Sequence, residues 1–199
     1  MMMKKFWKVS VLILVAGIMV GDLLLDYRTQ VQAHPQDTEA AELLDVNVGI
    51  AVGDLAPDFT GTTVDGQAIT LSELSGKLVV VNVFASWCGP CRAETPHLVE
   101  IYKQLDRDRV EFIGLNFQET PKAVESFKEE FSIDYPLVLD EGGGITDIYR
   151  PIGLPTTWFI DQDGIIRFSF SGPMTKESLQ VILEDVEAGR DPDPFAVIG

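Results

Sequence analysis

The hydrophobic pattern divides the chain into one long apolar run and a body of short alternating elements. Val9–Leu25 spans 17 residues with Asp22 as its one charge, and Lys4, Lys5 and Lys8 stand in front of it. Behind it, Leu78–Phe84 is a nearly continuous apolar, β-branched run, which predicts a central strand covered on both faces. Leu98, Ile101, Tyr102 and Leu105 follow at helical spacing and predict a helix from Pro90 to about Leu105. Val110–Asn116 reads as a second strand and Pro121–Phe131 as a helix with Val124, Phe127 and Phe131 on one face. Pro136–Leu139 reads as a short extended segment. Thr62–Leu71 predicts a hairpin around Asp65-Gly66, and Thr156–Ile160 with Ile165–Ser171 predicts another around Asp161–Gly164. Thr175 is placed to cap a last helix that carries Leu179, Ile182, Leu183 and Val186. Strands alternating with helices, ending in a hairpin and a helix, predict a three-layer α/β sandwich.

The apolar run changes the domain picture. Lysines followed by a hydrophobic segment are the mark of an exported chain. A spanning helix needs about 20 residues, so an uncleaved signal-anchor is short but feasible. Val31-Gln32-Ala33 resembles a small-residue cleavage site, so release after Ala33 stays open. The domain then lies either on the extracytoplasmic face of a bacterial cell membrane or, if cleaved, as a periplasmic or secreted protein. The expected organisation is a signal or anchor segment over 1–33, an acidic tether over 34–52, one domain over 53–190 and a loose tail over 191–199.

Composition then excludes several classes. Of 199 residues, 46% are hydrophobic and 9% aromatic, which is too many for a disordered chain. The formal charge is −16, from 31 acidic and 15 basic side chains, and such a field repels nucleic acid. The first 33 residues hold four bases and two acids, so the remainder is more acidic still, with 29 acids and 11 bases. Two cysteines are too few for a disulfide-stapled scaffold or an all-cysteine zinc site.

Both cysteines fall in Trp87-Cys88-Gly89-Pro90-Cys91, between the buried strand and the next helix. Two intervening residues at a helix start let the sulfurs meet, so a bond can form and break. Cys88 there faces unpaired N–H groups and the positive end of the helix dipole, and both favour the attacking thiolate. Pro90 suits the first turn, where its missing N–H costs nothing. Cys88 is thus the expected nucleophile and Cys91 the resolving thiol. A structural bond closing so small a loop would constrain the unfolded chain little. A zinc site would need a second ligand pair, and His34 and His97 do not supply one. His97 itself reads as a surface or packing residue.

Three separated segments now carry a resemblance. Gly53-Asp54-Leu55-Ala56-Pro57-Asp58-Phe59 resembles the G-x-x-A-P-x-F start of redoxins. Trp87–Cys91 with Arg92-Ala93-Glu94-Thr95-Pro96 resembles a W-C-x-P-C-x-x-E-x-P segment, and Gly153-Leu154-Pro155-Thr156-Thr157 resembles a segment that bears a cis-proline. Over about residues 53–188 the chain resembles the membrane-anchored TlpA/ResA-like thiol–disulfide oxidoreductases of the thioredoxin superfamily. The resemblance implies a thioredoxin-like sandwich: a central mixed β-sheet flanked by helices, with an N-terminal β-hairpin extension. It implies that Pro155 is cis and lies beside the cysteines, leaving the backbone of Leu154 open to pair with a substrate strand. It implies that Trp87 covers the site and that Glu94, one turn beyond Cys91, handles its protons. Thioredoxin itself places an acid six residues before the first cysteine. Here that position is Asn82, which strengthens the part of Glu94.

The implied activity is reduction of protein disulfides outside the cytoplasm, with no cofactor or metal beyond the Cys88–Cys91 pair. The implied partners are an oxidised protein such as apocytochrome c and a CcdA-like membrane electron donor. Two other readings remain. A peroxiredoxin-type peroxidase would need Thr or Ser where Ala85 stands and Pro where Val81 stands. A redoxin-fold copper-binding module would need a histidine near Pro155, and none is close in sequence.

Overall fold

The computed structural model describes residues 46–195, and the apolar run, Ala33 and most of the acidic stretch lie outside them. The elements in order are β1 (Thr60–Thr63), β2 (Ala68–Thr70), a 3-10 turn (Leu71–Leu74), β3 (Leu78–Phe84), α1 (Gly89–Tyr102), β4 (Val110–Phe117), α2 (Pro121–Phe131), β5 (Leu137–Asp140), α3 (Gly144–Tyr149), β6 (Thr156–Ile160), β7 (Ile166–Ser171) and α4 (Lys176–Glu187). They form one mixed sheet in the order β2-β1-β5-β4-β3-β6-β7. β3, β4 and β5 run parallel, whereas β6 and β7 on one side and β1 and β2 on the other pair antiparallel.

Strand β3 shows why its sequence lacks alternation. All seven of its residues are buried, because both faces of the sheet are covered. Val80 and Phe84 pack with Leu98 and Ile101 of α1, Val124 and Phe127 of α2, and Leu179 and Ile182 of α4. Val79, Val81 and Val83 point the other way, into a second core with Ile113, Leu115, Phe59, Tyr149 and Trp158. By the two-residue period of a strand, Asn82 shares the α1 side with Val80 and Phe84. A polar residue in the centre of this strand is therefore aimed at α1 rather than at solvent.

The sandwich and its hairpin extension match expectation, with three differences. Helix α1 ends at Tyr102 rather than near Leu105, whose side chain still packs on the core as a half-buried residue. Helix α3 was not foreseen, because Glu141-Gly142-Gly143-Gly144 reads as loop. Its turn is held by Thr146, whose N–H and hydroxyl donate to Asp140 at 2.8 and 2.9 Å, and by Tyr149, whose hydroxyl donates to the Pro57 carbonyl at 2.9 Å. Part of the stretch read as a tether is bonded to the body: the Leu55 N–H donates to the Asn47 carbonyl at 2.8 Å, and Trp158 Nε1 donates to the Ile50 carbonyl at 3.2 Å. Among the described residues no helix is long and apolar enough to cross a membrane.

Candidate active site

The site forms where β3 hands the chain to α1. Cys88 is the N-cap of α1, Pro90 sits in its first turn, and Cys88 and Cys91 are joined in a disulfide with Cα atoms 5.2 Å apart. The Cys91 N–H donates to Cys88 Sγ at 3.2 Å, so an unpaired helix-start donor already points at the sulfur that would carry charge. Both cysteines are nearly buried, at 4% and 2% exposure. They differ in access all the same, because Cys88 lines an open groove and Cys91 does not.

That groove gathers distant pieces of the sequence. Trp87, Cys88 and Pro90 form one side, Phe117 comes from the end of β4, and Ile152 and Leu154 come from the loop before β6. Trp87 remains 66% exposed and Ile152 92%. The Leu154–Pro155 peptide is cis. Pro155 starts the chain into β6, and its carbonyl accepts from the Gly172 N–H at 2.8 Å. Gln118 and Arg150, which adjoin Phe117 and Pro151, hold positive φ angles of 54° and 45°. Non-glycine residues in that region cost energy and tend to cluster at functional sites.

Behind the disulfide lies Glu94, one turn beyond Cys91 and only 1% exposed. Its Oε1 accepts from the Met174 N–H at 3.2 Å, and its Oε2 faces Asn82 Nδ2 at 3.4 Å. Asn82 is held in turn by Thr157 Oγ1 at 2.9 Å. Burial pushes the Glu94 pKa up from 4.5 to about 7, against the smaller, opposing pull of the Met174 and Asn82 bonds. The carboxyl is thus poised to hold or release a proton near neutrality.

Sequence reasoning did not find the network that holds the turn before Cys88. Glu119 accepts from the Ser86 N–H at 2.7 Å, from the Ser86 hydroxyl, and from Asn116 Nδ2 at 2.7 Å. Arg92 Nη1 donates to the Ser86 carbonyl at 3.1 Å and pairs with Glu130. Ser86 is therefore gripped through its N–H, its carbonyl and its side chain. Glu119 lies 33 positions from Ser86, so no local motif could announce the contact. The groove residues Phe117 and Ile152 were missed for the same reason. Among the described residues no group of three or more His, Cys, Asp or Glu side chains is arranged to hold a metal ion.

Comparison with known proteins decides the family. A family model described as AhpC/TSA matches residues 52–169. The thiol-disulfide oxidoreductase ResA of Bacillus thuringiensis subsp. konkukian is 36% identical over 135 residues, covering 68% of this chain and 78% of that protein. ResA of Geobacillus kaustophilus is 36% identical over 138 residues, covering 69% and 79%. The chain belongs to the ResA-like thiol–disulfide oxidoreductases of the AhpC/TSA family. Solved structures agree on the fold. A thiol:disulfide interchange protein of the thioredoxin family from Chlorobium tepidum matches with a TM-score of 0.60 at 32% identity, covering 66% of this chain and 94% of that one. StoA from Bacillus subtilis matches with a TM-score of 0.56 at 28% identity, covering 62% and 94%. As a ResA-like enzyme the protein carries out thiol–disulfide exchange, and its cysteine pair is the redox centre.

Proposed function

We propose that this ResA-like protein reduces disulfides of exported proteins through Cys88, with Cys91 as resolving thiol and Glu94 as proton carrier. The observation that carries the reading is the cysteine pair itself. It caps a helix, opens on one side to an apolar groove, and is backed on the other by a buried carboxyl.

In the reduced form the Cys88 thiolate attacks one sulfur of a substrate disulfide. A mixed disulfide forms on Cys88 and one substrate thiolate leaves. Cys91 then attacks Cys88 Sγ, the Cys88–Cys91 disulfide forms, and the second substrate thiolate leaves. Two electrons have passed to the substrate. Glu94 takes the proton that Cys91 must lose, and solvent supplies protons to the departing substrate thiolates. The cycle closes when a dithiol donor reduces Cys88–Cys91 by the reverse exchange. Trp87 and Leu154 would seat the substrate: Trp87 offers an exposed ring, and the Leu154 backbone makes no bond to another described residue. Pro155 carries no N–H to compete with that pairing.

The compartment proposed is outside the cytoplasm, with the 9–25 segment as anchor or with release after Ala33. The lysine-flanked apolar run supports this, as does likeness to a secreted Mycobacterium tuberculosis disulfide oxidoreductase (26% identity, TM-score 0.57, covering 65% of this chain and 95% of that one). The proposed acceptor is an oxidised protein such as apocytochrome c, and the proposed donor is a CcdA-like membrane protein. The test is Cys91→Ser in the native host. We expect Cys88-linked mixed disulfides with exported cysteine proteins, absent when Cys88 is also replaced. Adducts that form equally without Cys88, or none at all, would overturn the reading.

A further inference from the structure

The turn between β7 and α4 lies between the groove and the buried carboxyl, and a histidine of α1 bonds to it. Four residues, Gly172 to Thr175, make the connection. The Gly172 N–H reaches the Pro155 carbonyl at 2.8 Å, and Thr175 Oγ1 caps α4 by accepting from the Ser178 N–H at 3.2 Å. Between them Met174, 2% exposed, sends its N–H to Glu94 Oε1 at 3.2 Å. The carbonyl of the same residue meets His97 Nδ1 at 3.1 Å. A carbonyl only accepts, so His97 Nδ1 must carry the hydrogen.

We propose that His97 is a positioning residue of the exchange reaction: by holding the Met174 carbonyl it aims the Met174 N–H at the Glu94 carboxylate. The inference rests on Glu94 being the proton carrier for Cys91. Glu94 and His97 are three residues apart on α1, so they present to the turn from one helix face. The groups facing Glu94 come from every packed element. Asn82 of β3 offers an amide, Tyr135 before β5 offers a phenol kept neutral by burial and by the Glu94 charge, and the turn offers the Met174 N–H. Neither Asn82 nor Tyr135 brings a positive charge. The Met174 N–H is thus a leading stabiliser of the ionised carboxylate, and His97 holds the carbonyl of the same residue. If the turn drifts, Glu94 keeps its proton to higher pH and is slower to accept one from Cys91.

The test compares full-length protein with His97→Leu, which cannot donate, and His97→Asn, whose Nδ2 can replace Nδ1. Each is made with and without Glu94→Gln. Two quantities are read from pH 5 to 9: the alkylation rate of the reduced cysteines by iodoacetamide, and hydrogen exchange at the Met174 amide. We expect His97→Leu to move the Glu94-dependent step upward by about one pH unit, as loss of one bond to a charged group implies. Met174 exchange should quicken in that variant. His97→Asn should return both toward the parent, and His97→Leu should add nothing in the Glu94→Gln background. An unmoved profile in His97→Leu would sink the proposal, as would equal shifts in Leu and Asn variants or a shift that survives Glu94→Gln. Should Glu94→Gln alone leave the profile as in the parent, it is the proton-carrier reading that fails.

Discussion

Taking the Glu94 carboxyl out of water couples the stability of the fold to pH. Its folded pKa is about 7 against 4.5 for the free side chain. Between those values the folded protein keeps a proton that the unfolded chain has released. The contribution is therefore full below about pH 4.5 and is lost as pH rises through 7. A rise of this size corresponds to roughly 3 kcal/mol. Urea unfolding of the oxidised protein should show stability falling by about that much from pH 4.5 to 8, while Glu94→Gln stays nearly level over the same range. Parallel curves would mean that another group carries the slope. At Cys88 the helix start and the Cys91 N–H, which donates to Sγ at 3.2 Å, present positive ends to the sulfur.

At the scale of elements, the turn from β3 to α1 is positioned from outside itself. Glu119, just beyond β4, holds the N–H and hydroxyl of Ser86, and Arg92 of α1 holds the Ser86 carbonyl while lying over the rings of Phe127 and Phe131 of α2. Three elements thus fix the residues that lead into Trp87 and Cys88. Glu119→Ala leaves two Ser86 donors and Asn116 without their acceptor, at a cost of about 1–2 kcal/mol. We expect a lower Tm and slower exchange with a protein disulfide, with Glu119→Gln recovering part of both because its amide oxygen still accepts. Stopped-flow reduction beside thermal unfolding separates the two effects. A Tm loss with no change in rate would show that the network serves stability alone. The approach of β4 to its neighbours is just as specific: a Cβ on Gly114 would stand 2.5 Å from Leu137 and 3.1 Å from Phe84.

For the whole molecule, the long-range field is negative, with 31 acidic against 15 basic side chains. Around a groove lined by Trp87, Phe117, Ile152 and Leu154, such a field favours approach of cationic substrates and repels anionic ones. A basic disulfide protein should be reduced faster than an acidic one at low ionic strength. The difference should shrink toward 0.5 M salt, where the screening length falls to a few ångströms. Rates that ignore both charge and salt would place recognition wholly in the groove. Much of this design was legible in the chain. The β-branched run of β3, the helical spacing of Leu98 to Tyr102, the Asp65-Gly66 turn and the Thr175 cap are local patterns, and each produced its element. The cysteine spacing and the proline of Leu154-Pro155-Thr156 are local too, so the chemistry could be read from a few adjacent letters. Helix α3 escaped because its glycine-rich start reads as loop and its stability comes from Asp140 and Pro57, residues it meets only once folded. The depth of Glu94 escaped in part because burial depends on the packing of β3, β5 and the turn before α4 around it. The grip of Glu119 on Ser86 and the bond from His97 to Met174 span 33 and 77 positions. Short-range order follows from each residue's own backbone and side-chain preferences, so the sequence by itself determined most of the elements and the cysteine pair. Which distant groups surround that pair, and hence how its protons and its loop are held, was decided only when the sheet closed.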